Sequence, residues 1–174
     1  LIIAANHASY LDPPLLAASI GRRMRFLAQA GLFQHPLIGP LVRAADALRV
    51  ERDGRASFSA LKVIRELKRG SAIGVFPEGH RNLDGVLGSG KPGIAYVAFK
   101  SGAPVLPVGV SGTHRVRSAK DIMKRPRLSV KIGRRRLQNS IFFHSDLNRI
   151  SRCFPFVVGN TQNSGIYSRY CIRI

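Results

Sequence analysis

Short apolar runs separated by stretches of helical character restrict this chain more than any other feature. Leu1 to Ala5, Met24 to Ala28, Ala47 to Glu51, Ala72 to Phe76, Val105 to Val110 and Leu128 to Ile132 are each brief and mostly apolar, the pattern of strands buried on both faces. Helical stretches lie between them. Asp12-Pro13 reads as a helix start, because a proline in the first turn lacks only an N–H that has no partner there, and Gly21 ends the segment that follows. A helix interrupted by Pro36 and Pro40 is expected over Leu32 to Ala45, and a short apolar one over Pro92 to Lys100. Arg55 to Arg69 is the clearest helix, with Phe58, Leu61, Ile64 and Leu67 as its expected apolar stripe and Gly70 as a left-handed cap. Such alternation implies an α/β fold, a mostly parallel or mixed central sheet flanked by helices. Pro107 cannot donate to a ladder, so its strand is expected at an edge or at a bulge.

The pattern fades near residue 137. Residues 1-136 are expected to form the functional domain, and 137-174, rich in Ser, Asn and aromatics, read as a tail with no evident place in the sheet. At 174 residues the chain buries roughly two thirds of the surface exposed on unfolding, enough for a conventional core. The opening Leu1-Ile2-Ile3 already reads as the interior of a fold, so any membrane anchor is expected upstream of this segment. Cys153 and Cys171 suggest neither a disulfide framework nor a zinc site, and His35, His114 and His144 lack metal-ligand spacing. Phosphate-binding glycine fingerprints of the P-loop and dinucleotide kinds are missing.

The charge asks for an anionic partner. Lys and Arg number 28 against 9 Asp and Glu, a net +19. Nucleic acid, an anionic membrane surface and a phosphorylated ligand all meet that demand. The densest basic run, Arg115 to Arg136, contains Asp121 as its single acid. It has no interleaved aromatics of the kind that stack on bases, which weighs against a nucleic-acid-binding module.

Four clusters fall where expected strands end, the usual ligand position in open parallel sheets. His7 and Asp12 can act as a general base and the carboxylate that fixes its tautomer, and their separation suits a loop turning into a helix. Alone, the pair reads more readily as a surface histidine beside a capping aspartate. Arg52 follows the strand ending at Glu51 and can grip phosphate through paired hydrogen bonds, or form an ion pair with Asp53. Phe76-Pro77-Glu78-Gly79-His80-Arg81 makes a rigid turn. Gly79 there permits close backbone approach, Glu78 can meet a substrate hydroxyl and Arg81 can pair with phosphate. Val105 to Val110 can only form a wall, with Lys91 and Gly93 nearby in sequence as a further phosphate contact or a solvated pair.

In this order the four clusters resemble the blocks of the glycerolipid acyltransferase family, which includes the lysophosphatidic acid acyltransferases; the likeness spans about Leu1 to Gly112. The resemblance implies catalytic roles for His7 and Asp12 and acceptor-phosphate binding by Arg52, Glu78, Gly79 and Arg81. Pro77, Leu106, Pro107 and Val108 would line the pocket. It further implies transfer of a fatty acyl group from acyl-CoA or acyl carrier protein to the hydroxyl of a lysophosphatidic acid-like acceptor. Glycerol-3-phosphate or another lysophospholipid stand as alternative acceptors. Neither a metal nor another cofactor is implied. An anionic membrane surface becomes the expected partner and the cytoplasmic face of a membrane the expected location, with no specific nucleic acid. His80 departs from the pattern, where the family commonly has a small hydroxyl residue.

Overall fold

The computed structural model describes residues 1–51, 56–135 and 168–173. Its elements are β1 (Ile2–Ala5), α1 (Asp12–Ile20), β2 (Arg25–Gln29), a 3-10 turn (Ala30–Phe33), α2 (Ile38–Ala44), β3 (Leu48–Val50), α3 (Ala56–Lys68), β4 (Ile73–Val75), α4 (Gly93–Ser101), β5 (Val105–Ser111), a second 3-10 turn (Thr113–Arg115), α5 (Ala119–Met123), β6 (Arg127–Ile132) and β7 (Ser168–Arg173). Of these, β1 to β6 and α1 to α4 follow the alternation read from the sequence, and the second 3-10 turn, α5 and β7 are additions to it. The seven strands form one sheet in the order β3-β2-β4-β1-β5-β6-β7. The first five in that order run parallel, and β6 and β7 are antiparallel additions. The sheet is therefore mixed, with a parallel majority.

β1 is the centre of the core. All four of its residues are buried, and alternation sends Ile2 and Ala4 to one face and Ile3 and Ala5 to the other. On the first face they meet Val63, Ile64 and Leu67 of α3 and Val97 and Ala98 of α4. On the second they meet Leu15 and Leu16 of α1, together with Val108, Val110, Leu128 and Val130 of β5 and β6.

Four expectations need correction. The inward face of α3 is Ala60, Val63, Ile64 and Leu67, while Leu61 is half exposed. Steps of three residues drift around a helix of 3.6 residues per turn, so a stripe built on them leaves the core within two turns. The segment from Leu32 to Ala45 is a 3-10 turn and a separate short helix, because Pro36 disfavours helical backbone in the residue before it. β5 lies inside the sheet between β1 and β6, not at an edge. Pro107 is tolerated there because its side of the strand faces the end of the β6 ladder: its carbonyl accepts from the Gly133 N–H at 2.8 Å, just beyond the first paired residues, Val108 and Ile132. Finally, part of the expected tail joins the sheet, with Ser168 to Arg173 pairing along the whole of β6.

Candidate active site

The chain leaves β1 into α1 on one face of the sheet and leaves the adjacent β4 into α4 on the other. Their connections diverge, and a crevice opens between the carboxyl ends of the two strands. A cleft of about 560 Å³ lies at this end of the sheet. Its lining includes His7, Tyr10, Pro77, Gly79, Arg81 and Lys91, together with an apolar wall to which Leu27, Leu32, Val50, Val63, Ile94 and Val97 contribute.

The loop between β1 and α1 folds around Asp12, which is fully buried. One oxygen, Oδ2, accepts from the N–H groups of Ala8 at 2.7 Å and Ser9 at 2.8 Å, and stands 2.8 Å from His7 Nδ1. Oδ2 already accepts two N–H groups, so Nδ1 is the donor to it, and in the neutral imidazole Nε2 then keeps its lone pair. Asp12 does not cap its own helix. Pro13 and Pro14 have no N–H to offer it, and the Leu15 N–H bonds to the Leu11 carbonyl at 3.0 Å. With those competing donors removed, the carboxylate turns back to the loop and the imidazole.

Packing fixes the His7 ring from the side. Phe76 stacks on it with centroids 4.0 Å apart and planes 15° apart, and Phe26 lies beyond Phe76 at 6.1 Å. The Phe26 ring occupies the space over Gly74 that a β-carbon would take, so a residue with no side chain in β4 makes room for the stack. Asn6, at the end of β1, extends the strand with its side chain: Nδ2 donates to the Val110 carbonyl at 2.8 Å and Oδ1 accepts the Val110 N–H at 2.7 Å.

The loop after β4 holds the main chain of His7. Phe76 to Gly79 forms a turn closed by the Gly79 N–H on the Phe76 carbonyl at 3.0 Å, with Gly79 at φ 71°, a conformation that favours glycine. Glu78 Oε1 accepts the His7 N–H at 3.0 Å, and the Asn82 N–H donates to the His7 carbonyl at 2.8 Å. Glu78 Oε2 accepts from Asn82 Nδ2 and from the Gly88 N–H. Glu78 is thus buried and committed to the loop rather than turned toward the cleft.

Arg81 reaches back across the crevice to lie over the Tyr10 ring, its guanidinium carbon 3.7 Å from the centroid. The Lys91 side chain lies against Gly79, so close that a β-carbon there would meet its Cε and Nζ at 3.0 Å. His80 is exposed at the rim, its Nδ1 2.9 Å from the Glu78 carbonyl.

Of the residues singled out in the sequence, His7, Asp12, Gly79, Arg81 and Pro77 come together, and Glu78 joins them from behind. Arg52 lies outside the described residues. Leu106, Pro107 and Val108 do not line the cleft; Val108 belongs to the core on the α1 face and Leu106 packs against it, because β5 leads to the far side of β1 from β4. Tyr10, Asn6 and Asn82 were not foreseen as site residues. Asn6 and Tyr10 carried only their nearness to His7 as a signal, and Asn82 carried none.

Fold and site together define an α/β domain built around a carboxylate-oriented imidazole at the open end of a parallel sheet. The acyltransferase family model matches residues 1–111, and the chain belongs to that family. It is 37% identical over 117 residues to a chloroplastic 1-acyl-sn-glycerol-3-phosphate acyltransferase of Arabidopsis thaliana, covering 66% of this chain and 33% of that one. It is 29% identical over 178 residues to a probable 1-acyl-sn-glycerol-3-phosphate acyltransferase of Mycoplasma genitalium, covering 94% and 66% of the two chains. The crystal structure of PlsC, the 1-acyl-sn-glycerophosphate acyltransferase of Thermotoga maritima, superposes with a TM-score of 0.71 at 26% identity, covering 88% of this chain and 62% of that one. The chain thus spans about one third of the length of the plant relative and 66% of the Mycoplasma one.

Proposed function

We propose that the domain transfers a fatty acyl group from a thioester donor, acyl-CoA or acyl carrier protein, to the free hydroxyl of a lysophosphatidate-type acceptor. The observation that carries this reading is the Asp12-oriented imidazole of His7 in a cleft whose lining holds both the cations Arg81 and Lys91 and an extensive set of apolar side chains. His7 Nε2 takes the proton of the acceptor hydroxyl as its oxygen attacks the thioester carbonyl. The tetrahedral intermediate collapses, the carbon–sulfur bond breaks, and the leaving thiolate takes the proton from His7, which ends neutral as it began. Asp12 holds the tautomer and stabilises the imidazolium formed between the two proton transfers.

Arg81 and Lys91, with Arg52 by the family resemblance, bind the acceptor phosphate, and the backbone at Gly79 permits its close approach. Glu78 acts through His7 by holding its main chain, not by touching substrate. The apolar wall accepts hydrocarbon, and holding both substrates in one cleft makes the transfer a local event.

The domain works at an anionic membrane surface. Its net charge of +19 is matched to anionic lipid. Leu37, just before α2, and Leu41, in its middle, stand 83% and 63% exposed, and α2 packs on the 3-10 turn carrying Leu32 of the cleft lining.

Acyl transfer by the full-length parent protein to lysophosphatidate, with thioester donors, tests the assignment. His7→Ala lowers kcat by roughly 10²- to 10⁴-fold with little change in KM, and Asp12→Asn lowers it in the same direction. Near-normal turnover by His7→Ala would sink the mechanism.

A further inference from the structure

We infer that Tyr10 is a positioning residue for Arg81, acting as a platform that holds the guanidinium flat at the cleft rim with its hydrogen-bond donors directed at an acceptor phosphate. The inference rests on the phosphate-binding reading of Arg81 given above. Tyr10 is 51% exposed, so burial does not account for a large aromatic at this position. Its ring lies in the β1 connection and carries a cation from the β4 connection, so the contact bridges the crevice between them. Both side chains line the same cleft as His7.

Stacking suits this task in a way that an ion pair would not. A carboxylate partner takes up two of the five guanidinium donors and cancels the charge, whereas an aromatic face attracts the cation and leaves every in-plane N–H available. Among the described residues the Arg81 side chain has the Tyr10 ring as its partner and no carboxylate. The guanidinium is therefore held in place yet remains able to bind a dianion. An unrestrained arginine would lose the freedom of several side-chain torsions on binding, a cost that the platform removes beforehand. The tyrosine hydroxyl plays no part, since the contact is made through the ring.

Steady-state kinetics on the full-length parent protein, varying lysophosphatidate at saturating thioester, tests this. Replacing Tyr10 by Leu raises the acceptor KM by roughly three- to tenfold and leaves the donor KM and kcat near wild type. Tyr10→Phe, which keeps the ring, restores the acceptor KM to within about twofold. Arg81→Ala raises the acceptor KM further, and adding Tyr10→Leu to Arg81→Ala has no additional effect, as two residues acting through one contact require. If Arg81→Ala raises the acceptor KM but Tyr10→Leu does not, the platform is wrong and phosphate binding by Arg81 stands. If Arg81→Ala leaves the acceptor KM unchanged, the phosphate reading itself falls and takes the platform with it. A fall in kcat for Tyr10→Leu with the acceptor KM unmoved, or Tyr10→Phe as impaired as Tyr10→Leu, also overturns the inference.

Discussion

His7 is constrained at every group it possesses except the one its proposed chemistry needs. Nδ1 faces Asp12, the ring lies on Phe76, the N–H is held by Glu78 and the carbonyl by Asn82. Among the described residues no hydrogen bond occupies Nε2, which leaves it for a substrate. Glu78 shows how far a residue's place can differ from the role its type suggests. As an acid in a turn after a strand it reads as a ligand for substrate, yet it is buried with both oxygens accepting from the protein. Glu78→Gln keeps the shape but replaces one acceptor with a donor, which must face another donor in the loop. The exchange should cost about 1–3 kcal/mol of stability. Kinetically it should lower kcat while the acceptor KM holds, and a rise in KM alone would return Glu78 to the substrate.

Among the elements, the start of α1 matters through what its prolines withhold. Pro13 and Pro14 offer no N–H to Asp12, so a residue that would otherwise cap a helix serves the histidine instead. At the opposite end of the sheet from the cleft, Glu66 near the end of α3 ties elements together, accepting from Arg25 at the head of β2 at 2.8 Å, from Arg69 at 3.1 Å and from the Ser71 hydroxyl at 3.3 Å. Partial burial works to raise its pKa, but Arg25 together with Ser71 and Arg69 outweighs it and the net shift is downward. A carboxylate lowered in the folded state adds stability that is present above its unfolded pKa, about 4.3, and is lost as pH falls through the lower folded value. Glu66→Gln should therefore cost roughly 1 kcal/mol at pH 7 and progressively less below about pH 4. Unfolding curves of the two proteins across that range should converge on the acid side; a gap independent of pH would mean that the ion pairs contribute nothing.

At the scale of the whole molecule, the divergence of α1 and α4 to opposite faces places the cleft, and the proposed attachment to lipid rests on the excess of positive charge. None of the described helices is long and apolar enough to cross a membrane. The proposed surface attachment predicts that Leu37→Asp with Leu41→Asp weakens sedimentation with vesicles containing anionic phospholipid by several fold, and that added salt weakens it further. Unchanged binding by the double variant would remove this patch from the contact. Sequence alone determined the order of the first six strands and of the helices α1 to α4, because buried strands must be apolar and turn residues mark helix ends, and it drew attention to His7, Asp12, Gly79 and Arg81 through their places after strands. It did not reveal that β5 is internal, that β7 pairs with β6, that Glu78 faces inward or that Tyr10 carries Arg81. Each of these depends on which strand lies beside which and on contacts between segments far apart in the chain. Local pattern encodes burial and turn chemistry, and only the assembled sheet decides which side chains meet across the crevice.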